Sequence, residues 1–183
     1  MKATAAKPAI GGAVSIGPTT ATLPTDATST PTGFTNVGYI SDAGVTRSQE
    51  VETDVVKAWG GDVVLVLENG KTEKFKFVMI EPANIAALKL VNGDGAVTGS
   101  AVASGISVAS NAKARGGHAL VIDMIEAEDT LHRICIPNGV LSGIDDITYV
   151  DNAAVGYGVE ITAIADSSGN TCYEYIKTKP TTP

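Results

Sequence analysis

The sequence predicts a mainly β protein: a β-sandwich or β-barrel of about eight or nine strands with one short flanking α-helix and a long hairpin arm. Three observations favour this class. The 183 residues include 20 glycines but only 5% aromatic residues, which indicates many turns and few long amphipathic stretches. Segments that alternate polar and apolar residues recur, whereas a single segment has helical spacing. A chain of this length predicts one domain over residues 1–183, which buries roughly 70% of its unfolded surface.

The first forty residues predict an arm, a loop and a strand. Residues 1–12 are typical of an N-terminal arm. Residues 17–33 are rich in Thr and Pro and too poor in apolar side chains to become ordered alone. They form either a surface loop or a loop that only a neighbouring subunit orders. The next segment, from Phe34 to Ile40, predicts a strand.

Residues 41–61 predict a long hairpin arm with one charged face. In an extended chain, residues two apart share a face. One face therefore holds Glu50, Glu52 and Asp54, and the other holds the apolar and β-branched residues between them. Trp59, the sole tryptophan, lies beside Gly60 and Gly61. It either fills the core of its own subunit or anchors an interface, where Trp is enriched among hot spots.

A second hairpin and a helix are predicted next. The segments Asp62–Glu68 and Thr72–Ile80 flank Asn69-Gly70, the strongest short hairpin signal, so we expect the turn there. Phe75, Phe77 and Met79 alternate with Lys74, Lys76 and Val78 and should face the core. Residues 82–92 then predict a helix that starts at Pro82 and stops at Asn92-Gly93.

The second half of the chain predicts mainly strands. Residues 93–117 are small and flexible in composition, with one short strand among them. A hairpin turn at Ser168-Gly169-Asn170 should join the last two strands, and residues 178–183 should form a C-terminal arm. The four predicted strands are His118–Ala127, Thr130–Ile136, Tyr157–Ala165 and Thr171–Lys177.

Charge and composition exclude several classes of function. The net charge is −7, which disfavours a protein that grips nucleic acid through its phosphates. Residues 92–183 contain 5 basic and 11 acidic residues, so this half holds −6 of that charge. No run of 18 apolar residues predicts a membrane span, and no signal peptide is recognisable. Synthesis in a reducing cytosol then predicts that Cys135 and Cys172 are free thiols.

No motif predicts catalysis, a cofactor or a metal. The glycine-rich segment 93–99 has the wrong spacing for a phosphate loop and follows a helix. His118 and His132 have no second ligand at metal-binding spacing. The acidic loop around Asp145 and Asp146 could offer oxygens to calcium, but a solvated turn explains it better.

One block carries a family resemblance. Residues 33–81 contain the segments GYISDAGVTRS, ETDVVKAWGGD and FKFVMIE. This block resembles the major tail protein of long-tailed bacteriophages (siphophages), which is related in architecture to type VI secretion tube proteins. The resemblance covers about residues 11–93 well.

The resemblance implies a structural virion protein. Such subunits form hexameric rings that stack into the tail tube, a conduit for DNA ejection. It also implies self-association, contacts with tape measure, tail tip and terminator proteins, no specific DNA binding and no membrane. The protein would reside in the phage tail after assembly in the host cytoplasm. An alternative is a capsid-decorating or cell-surface β-sandwich binding module.

Two sets of site residues follow from the resemblance. The hairpin at residues 41–61 matches the family's interface loop, and its interface residues would be Arg47, Glu50, Glu52, Asp54, Lys57 and Trp59. An acidic wall would let DNA slide through the lumen without binding. Its residues would come from Glu126, Glu128, Asp129, Asp145, Asp146, Asp151 and Glu160.

Overall fold

The computed structural model describes residues 4–9, 12–126 and 129–179, and this part of the chain is mostly β. The predicted fold class is confirmed. One α-helix, α1 (Ile85–Asn92), accompanies eleven strands in the described residues. The strands are β1 (Ala6–Pro8), β2 (Val14–Pro18), β3 (Thr35–Asn36), β4 (Ile40–Lys57), β5 (Val63–Met79), β6 (Val97–Thr98), β7 (Ser107–Val108), β8 (His118–Glu126), β9 (Thr130–Ile144), β10 (Tyr157–Ile164) and β11 (Tyr173–Thr178).

Nine of these strands form one antiparallel sheet. Its main order is β3-β2-β8-β9-β10-β5-β4, while β1 pairs with the end of β8 and β11 pairs with the first part of β9. Strands β6 and β7 pair separately within residues 93–117, so that stretch contains two short strands where the sequence predicted one. None of the helices in the described residues is both long and apolar enough to span a membrane.

The core lies between the inward face of the sheet and α1. Phe75, Phe77 and Met79 of β5 are buried, as their alternation predicts, and they belong to one cluster with Leu120 of β8 and Leu90 of α1. Each fully buried side chain of this size contributes about 1.5–3 kcal/mol relative to exposure. The buried side chains on this face of the sheet therefore stabilise the packing of the sheet against α1.

The helix begins later than the sequence predicted. The side chain of Asn84 accepts hydrogen bonds from the backbone N–H groups of Ala86 (2.9 Å) and Ala87 (3.3 Å), so Asn84 is the N-cap and Pro82 precedes the helix. Gly93, with φ +93°, ends the helix and donates its N–H to the carbonyl of Lys89. The predicted stop at Asn92-Gly93 is confirmed.

The Thr/Pro-rich loop at residues 17–33 is held by its own subunit. Buried Arg133 donates to the carbonyl oxygens of Asp26 (3.0 Å) and Ser29 (2.6 Å) and is itself paired with Asp123. Hydrogen bonds from the backbone N–H groups of Ser29 and Thr28 lower the pKa of Asp26 to about 2. Of the two alternatives for this loop, the structure supports a surface loop ordered without a neighbour.

The predicted turn at Asn69-Gly70 is wrong. Strand β5 runs without a break through both residues, and Gly70 lacks the positive φ that a type I′ turn requires. Asn69 is instead the extra residue of a β-bulge, because Glu52 pairs with Gly70 and Thr53 pairs with Glu68. The chain turns at residues 58–62, where the N–H of Ala58 donates to the carbonyl of Asp62 and Gly61 has φ +95°.

The predicted hairpin between the last two strands is also wrong. Strands β10 and β11 lie one after the other along the same edge of β9, so they do not pair with each other. The carboxylate of Asp166 accepts from the N–H groups of Ser168 (2.8 Å) and Asn170 (3.0 Å) and closes a small loop between them. This loop returns the chain to the edge of β9 with which β10 also pairs.

One predicted strand is corrected, and parts of the two predicted terminal arms belong to strands. Within the expected N-terminal arm, Ala6–Pro8 pairs with β8. The strand expected at Phe34–Ile40 is confined to Thr35–Asn36, because Gly38 has φ +89° and packs against the carboxylate of Glu81. At the other end Thr178 closes β11, and residues 180–183 of the predicted C-terminal arm lie outside the described residues.

Candidate assembly surface

The outer parts of β4 and β5 project from the sheet as a two-stranded ribbon. We call residues 48–71 the arm. Every residue of the arm is exposed. An isolated two-stranded ribbon is marginally stable at best in water, because it has no core to pack against. The arm therefore gains little stability from packing within its own subunit.

The two faces of the arm follow from the register of β4 and β5. Directly opposed residues share a face, and Val55 pairs with Val66 while Val56 pairs with Leu65. These two pairs lie on opposite faces, and all four side chains are between 44% and 55% exposed. The outer half of the arm is thus apolar on both sides.

The inner half of the arm has the charged face that the sequence predicted. Glu50, Glu52 and Asp54 alternate along the extended strand β4, so their side chains share one face. Glu50 lies 4.0 Å from Lys74, and Asp54 accepts a hydrogen bond from Asn69 (2.6 Å). Among the described residues, Glu52 and Lys57 form no salt bridge.

Trp59 occupies the tip of the arm. Its side chain is fully exposed, in the loop at residues 58–62 that joins β4 to β5. The possibility that Trp59 fills the core of its own subunit is therefore wrong. A bare indole at the end of a projecting ribbon is typical of an interface anchor.

A profile described as phage tail tube protein matches residues 3–183. The chain belongs to the phage tail tube protein family. The resemblance found in residues 33–81 is confirmed and extends through the second half of the chain. No curated protein matches the sequence. The family consists of structural, non-enzymatic proteins that assemble into a tube with other tail proteins. Membership of this family places the protein in the virion tail.

In this tail tube protein, Arg47 is engaged within its own subunit. Its Nε lies 2.5 Å from the Oε1 of Glu73, its Nη1 pairs with Glu174 of β11, and its guanidinium lies 5.7 Å from the ring centroid of Phe75. Arg47 therefore fixes the base of the arm to β5 and β11. The sequence predicted that Arg47 would contact a neighbouring subunit, but its charge is paired within its own subunit.

Glu73 is a charged residue that the sequence predictions missed. Its side chain is 1% exposed on the inward face of β5. Burial favours the neutral acid, but hydrogen bonds from Thr171, Gln49 and Arg47 outweigh this effect and lower the pKa of Glu73 to about 2. Glu73 lies two residues before Phe75, so the alternation that places Phe75, Phe77 and Met79 in the core was the signal that could have identified it.

The proposed lumen residues do not form one cluster. Asp145 and Glu160 lie on the outer face of β9, β10 and β5, where they pair with Lys76 (2.9 Å) and Lys74 (3.6 Å). Asp146 and Asp151 follow in the exposed loop after β9.

The remaining members lie at the other end of β9. Glu126 is 2.8 Å from the Nδ1 of His132, and exposed Asp129 precedes β9. Glu128 lies outside the described residues. No salt bridge joins a described residue to Asp129, Asp146 or Asp151. Among the proposed lumen residues that the structure describes, these three therefore keep an uncompensated charge.

Neither cysteine nor histidine chemistry suggests a second kind of site. Cys135 and Cys172 are free, as predicted, and burial raises the pKa of the Cys135 thiol to about 12. Within residues 4–9, 12–126 and 129–179, no group of three His, Cys, Asp or Glu side chains could hold a metal.

A cavity of about 260 Å³ lies between α1 and the strands β2 and β3. Ile16 and Pro18 of β2 line it from one side, and Ile85 and Lys89 of α1 line it from the other. His118 also lines this cavity, with its side chain 7% exposed and its Nε2 3.3 Å from a carboxylate oxygen of Asp94. The sequence gave no indication of this cavity, because the residues that line it come from four separate segments.

Proposed function

We propose that this tail tube protein self-assembles through its arm into stacked rings that form the conduit for DNA ejection. The observation that carries the proposal is the outer half of the arm, which is exposed and apolar on both faces. A ribbon of this kind becomes stable when neighbouring copies cover both faces. By the resemblance, we expect six subunits in each ring.

The energetics favour assembly over an isolated arm. Burying one Val or Leu side chain contributes about 1.5–3 kcal/mol, and the arm exposes eight such residues in addition to Trp59. Ordering the arm costs about 1–2 kcal/mol per residue of backbone entropy, which an isolated subunit does not recover. The eight residues are Val51, Val55, Val56, Val63, Val64, Leu65, Val66 and Leu67.

Charge supports a role as a DNA conduit. A net charge of −7 makes the protein repel phosphates. We propose that the uncompensated carboxylates Asp129, Asp146 and Asp151 belong to the surface that faces the lumen, with Asp145 and Glu160 in partly neutralised positions. By the resemblance, we expect tape measure, tail tip and terminator proteins to be the partners of the assembled tube.

The proposal is tested by electron microscopy of the purified protein over a concentration series. We expect rings or hollow tubes with an axial pore, alone or after addition of tail tip complexes that nucleate growth. Particles that remain monomeric under both conditions would contradict self-assembly.

A paired substitution tests the role of the arm. Val55→Asp with Val66→Asp places two charges on one apolar face, at positions already 51% and 55% exposed in the subunit. We expect the subunit to keep its thermal unfolding midpoint while tubes disappear, since exposed substitutions usually change stability by less than about 0.5 kcal/mol. The matched control is Val150→Asp, which changes a valine of 47% exposure outside the arm. Tubes of normal length from the paired variant would exclude this face as an interface.

A further inference from the structure

We propose that Trp59 at the tip of the arm inserts into the cavity beside α1 of a neighbouring copy. This inference rests on the proposed self-assembly and identifies the cavity that the tip of the arm occupies. We call this cavity the socket. Trp59 is fully exposed in its own subunit, so the cavity that receives it belongs to another chain. The proposal has three supports: the size and apolar lining of the cavity, its hydrogen-bonding groups, and the charges of the arm and of the segment around the cavity.

The cavity suits one large aromatic side chain. Its volume of about 260 Å³ falls below the roughly 300–1,000 Å³ of typical small-molecule sites. Ile16, Pro18 and Ile85 supply apolar walls for the ring. Lys89 of α1 lines the same cavity, and an ammonium group over an indole face is a favourable cation–π arrangement.

The polar groups of the cavity match the single donor of an indole. Trp offers one N–H and no acceptor. The Nε2 of His118 is buried and lacks a hydrogen-bond partner of good geometry among the described residues, and the carboxylate of Asp94 lies 3.3 Å away at the cavity lining. Asp94 is 69% exposed, so a carboxylate oxygen of Asp94 can accept the indole N–H at the lining of the cavity.

The arm as a whole and the segment around the socket carry opposite net charges. The arm contains five acidic and two basic residues, whereas residues 82–117, which carry α1 and part of the cavity wall, contain three basic residues and one acidic residue in a protein of net charge −7. Lys113 and Arg115 are exposed and line a second cavity that shares Asp94 with the first. The acidic face of the arm, formed by Glu50, Glu52 and Asp54, would lie toward this basic segment.

Because Trp59 is the sole tryptophan, its fluorescence tests the proposal directly. On assembly we expect the emission to shift to shorter wavelength and acrylamide quenching to fall several-fold. Thr35→Phe should fill the cavity from an exposed position on β3. We expect this variant either to lose tubes or to form tubes in which Trp59 is quenched as strongly as in the subunit. Thr178→Phe, at an exposed position of β11, is the matched control.

A second measurement does not depend on the fold of the Thr35 variant. A photoreactive benzoylphenylalanine in place of Trp59 changes a fully exposed position, and mass spectrometry locates its cross-links. We expect links to residues 16–18, 33–35 and 85–94 of another copy. Links confined to other segments would overturn the proposal, as would wild-type tubes in which Trp59 remains fully quenchable.

These outcomes separate the two proposals. Tubes that form with Trp59 exposed, or with Trp59 equally protected in the Thr35 variant, would reject the socket and leave self-assembly intact. A wild-type protein that forms neither rings nor tubes would reject self-assembly and the socket together.

Discussion

At the scale of single residues, Arg47 shows how the fold assigns partners to a charge. Its guanidinium contacts Glu73, Glu174 and the sulfur of Cys172, which lie 26, 127 and 125 positions away in the sequence. The sequence indicated correctly that Arg47 lies in a charged segment of the hairpin. It could not indicate these partners, because they belong to other segments that only the sheet topology brings to the base of the arm.

The depressed pKa of Glu73 predicts a specific dependence of stability on pH. Its folded pKa is about 2, against an ordinary value of 4.5. The stabilisation is therefore complete above about pH 4.5 and declines as the pH falls toward 2, by a total on the order of 3 kcal/mol. We expect Glu73→Gln to flatten this part of the curve of unfolding free energy against pH, measured by urea denaturation of the unassembled subunit.

The control for Glu73 is an exposed glutamate on the same strand. Glu68 forms no salt bridge with a described residue, so Glu68→Gln should leave the acid limb unchanged. A curve for Glu73→Gln that falls as steeply as that of the wild type between pH 4.5 and 2 would refute the role assigned to Glu73.

At the scale of elements, the arm was partly predictable. The alternation in residues 50–55 placed the acidic and apolar faces correctly, because strand periodicity is local. The position of the turn was not predictable, since Asn69-Gly70 and Gly60-Gly61 are both turn signals. A turn at residues 58–62 lets β4 pair with β5 along its length, whereas a turn at residue 69 would leave the outer part of β4 without a partner.

The bulge at Asn69 should direct the tip of the arm. A bulge increases the local twist of a strand pair, and deletion of Asn69 would leave the pairing of Glu52 with Gly70 and of Thr53 with Glu68 regular. We expect the deletion variant to fold with an unfolding midpoint within a few degrees of the wild type but to form no tubes, because Trp59 points in a new direction. Electron microscopy and thermal unfolding measure the two effects.

Asn69→Ser is the control for this deletion, since it keeps the extra residue while removing the hydrogen bond to Asp54. We expect it to assemble. Normal tubes from the deletion variant would show that assembly tolerates a different twist of the arm.

At the scale of the whole molecule, the sequence predicted the net charge but not which carboxylates are neutralised. The sequence alone gives the net charge of −7 and its concentration in residues 92–183. Which carboxylates are neutralised depends on strand neighbours: Lys74 and Lys76 of β5 face Glu160 and Asp145. The fold thus divides the acidic half into carboxylates paired with lysines of β5 and carboxylates without a partner in the loops.

This division predicts which acidic residues matter for DNA passage. Asp146→Asn with Asp151→Asn removes two uncompensated charges from one exposed loop. If that loop faces the lumen, we expect assembled phage to eject DNA more slowly, because weaker repulsion lets phosphates dwell on the wall. Time-resolved ejection assays measure the rate, and tube length checks assembly.

The variant with Glu at both positions keeps the charge and should eject at the wild-type rate. Raising the salt concentration should reduce the difference between the Asn variant and the wild type, since mobile ions screen the wall at distances beyond about 10 Å at 0.1 M. Equal ejection rates for the Asn and Glu variants at low salt would place this loop away from the lumen. The acidic wall would then have to come from the opposite end of β9, where Asp129 carries the remaining uncompensated charge.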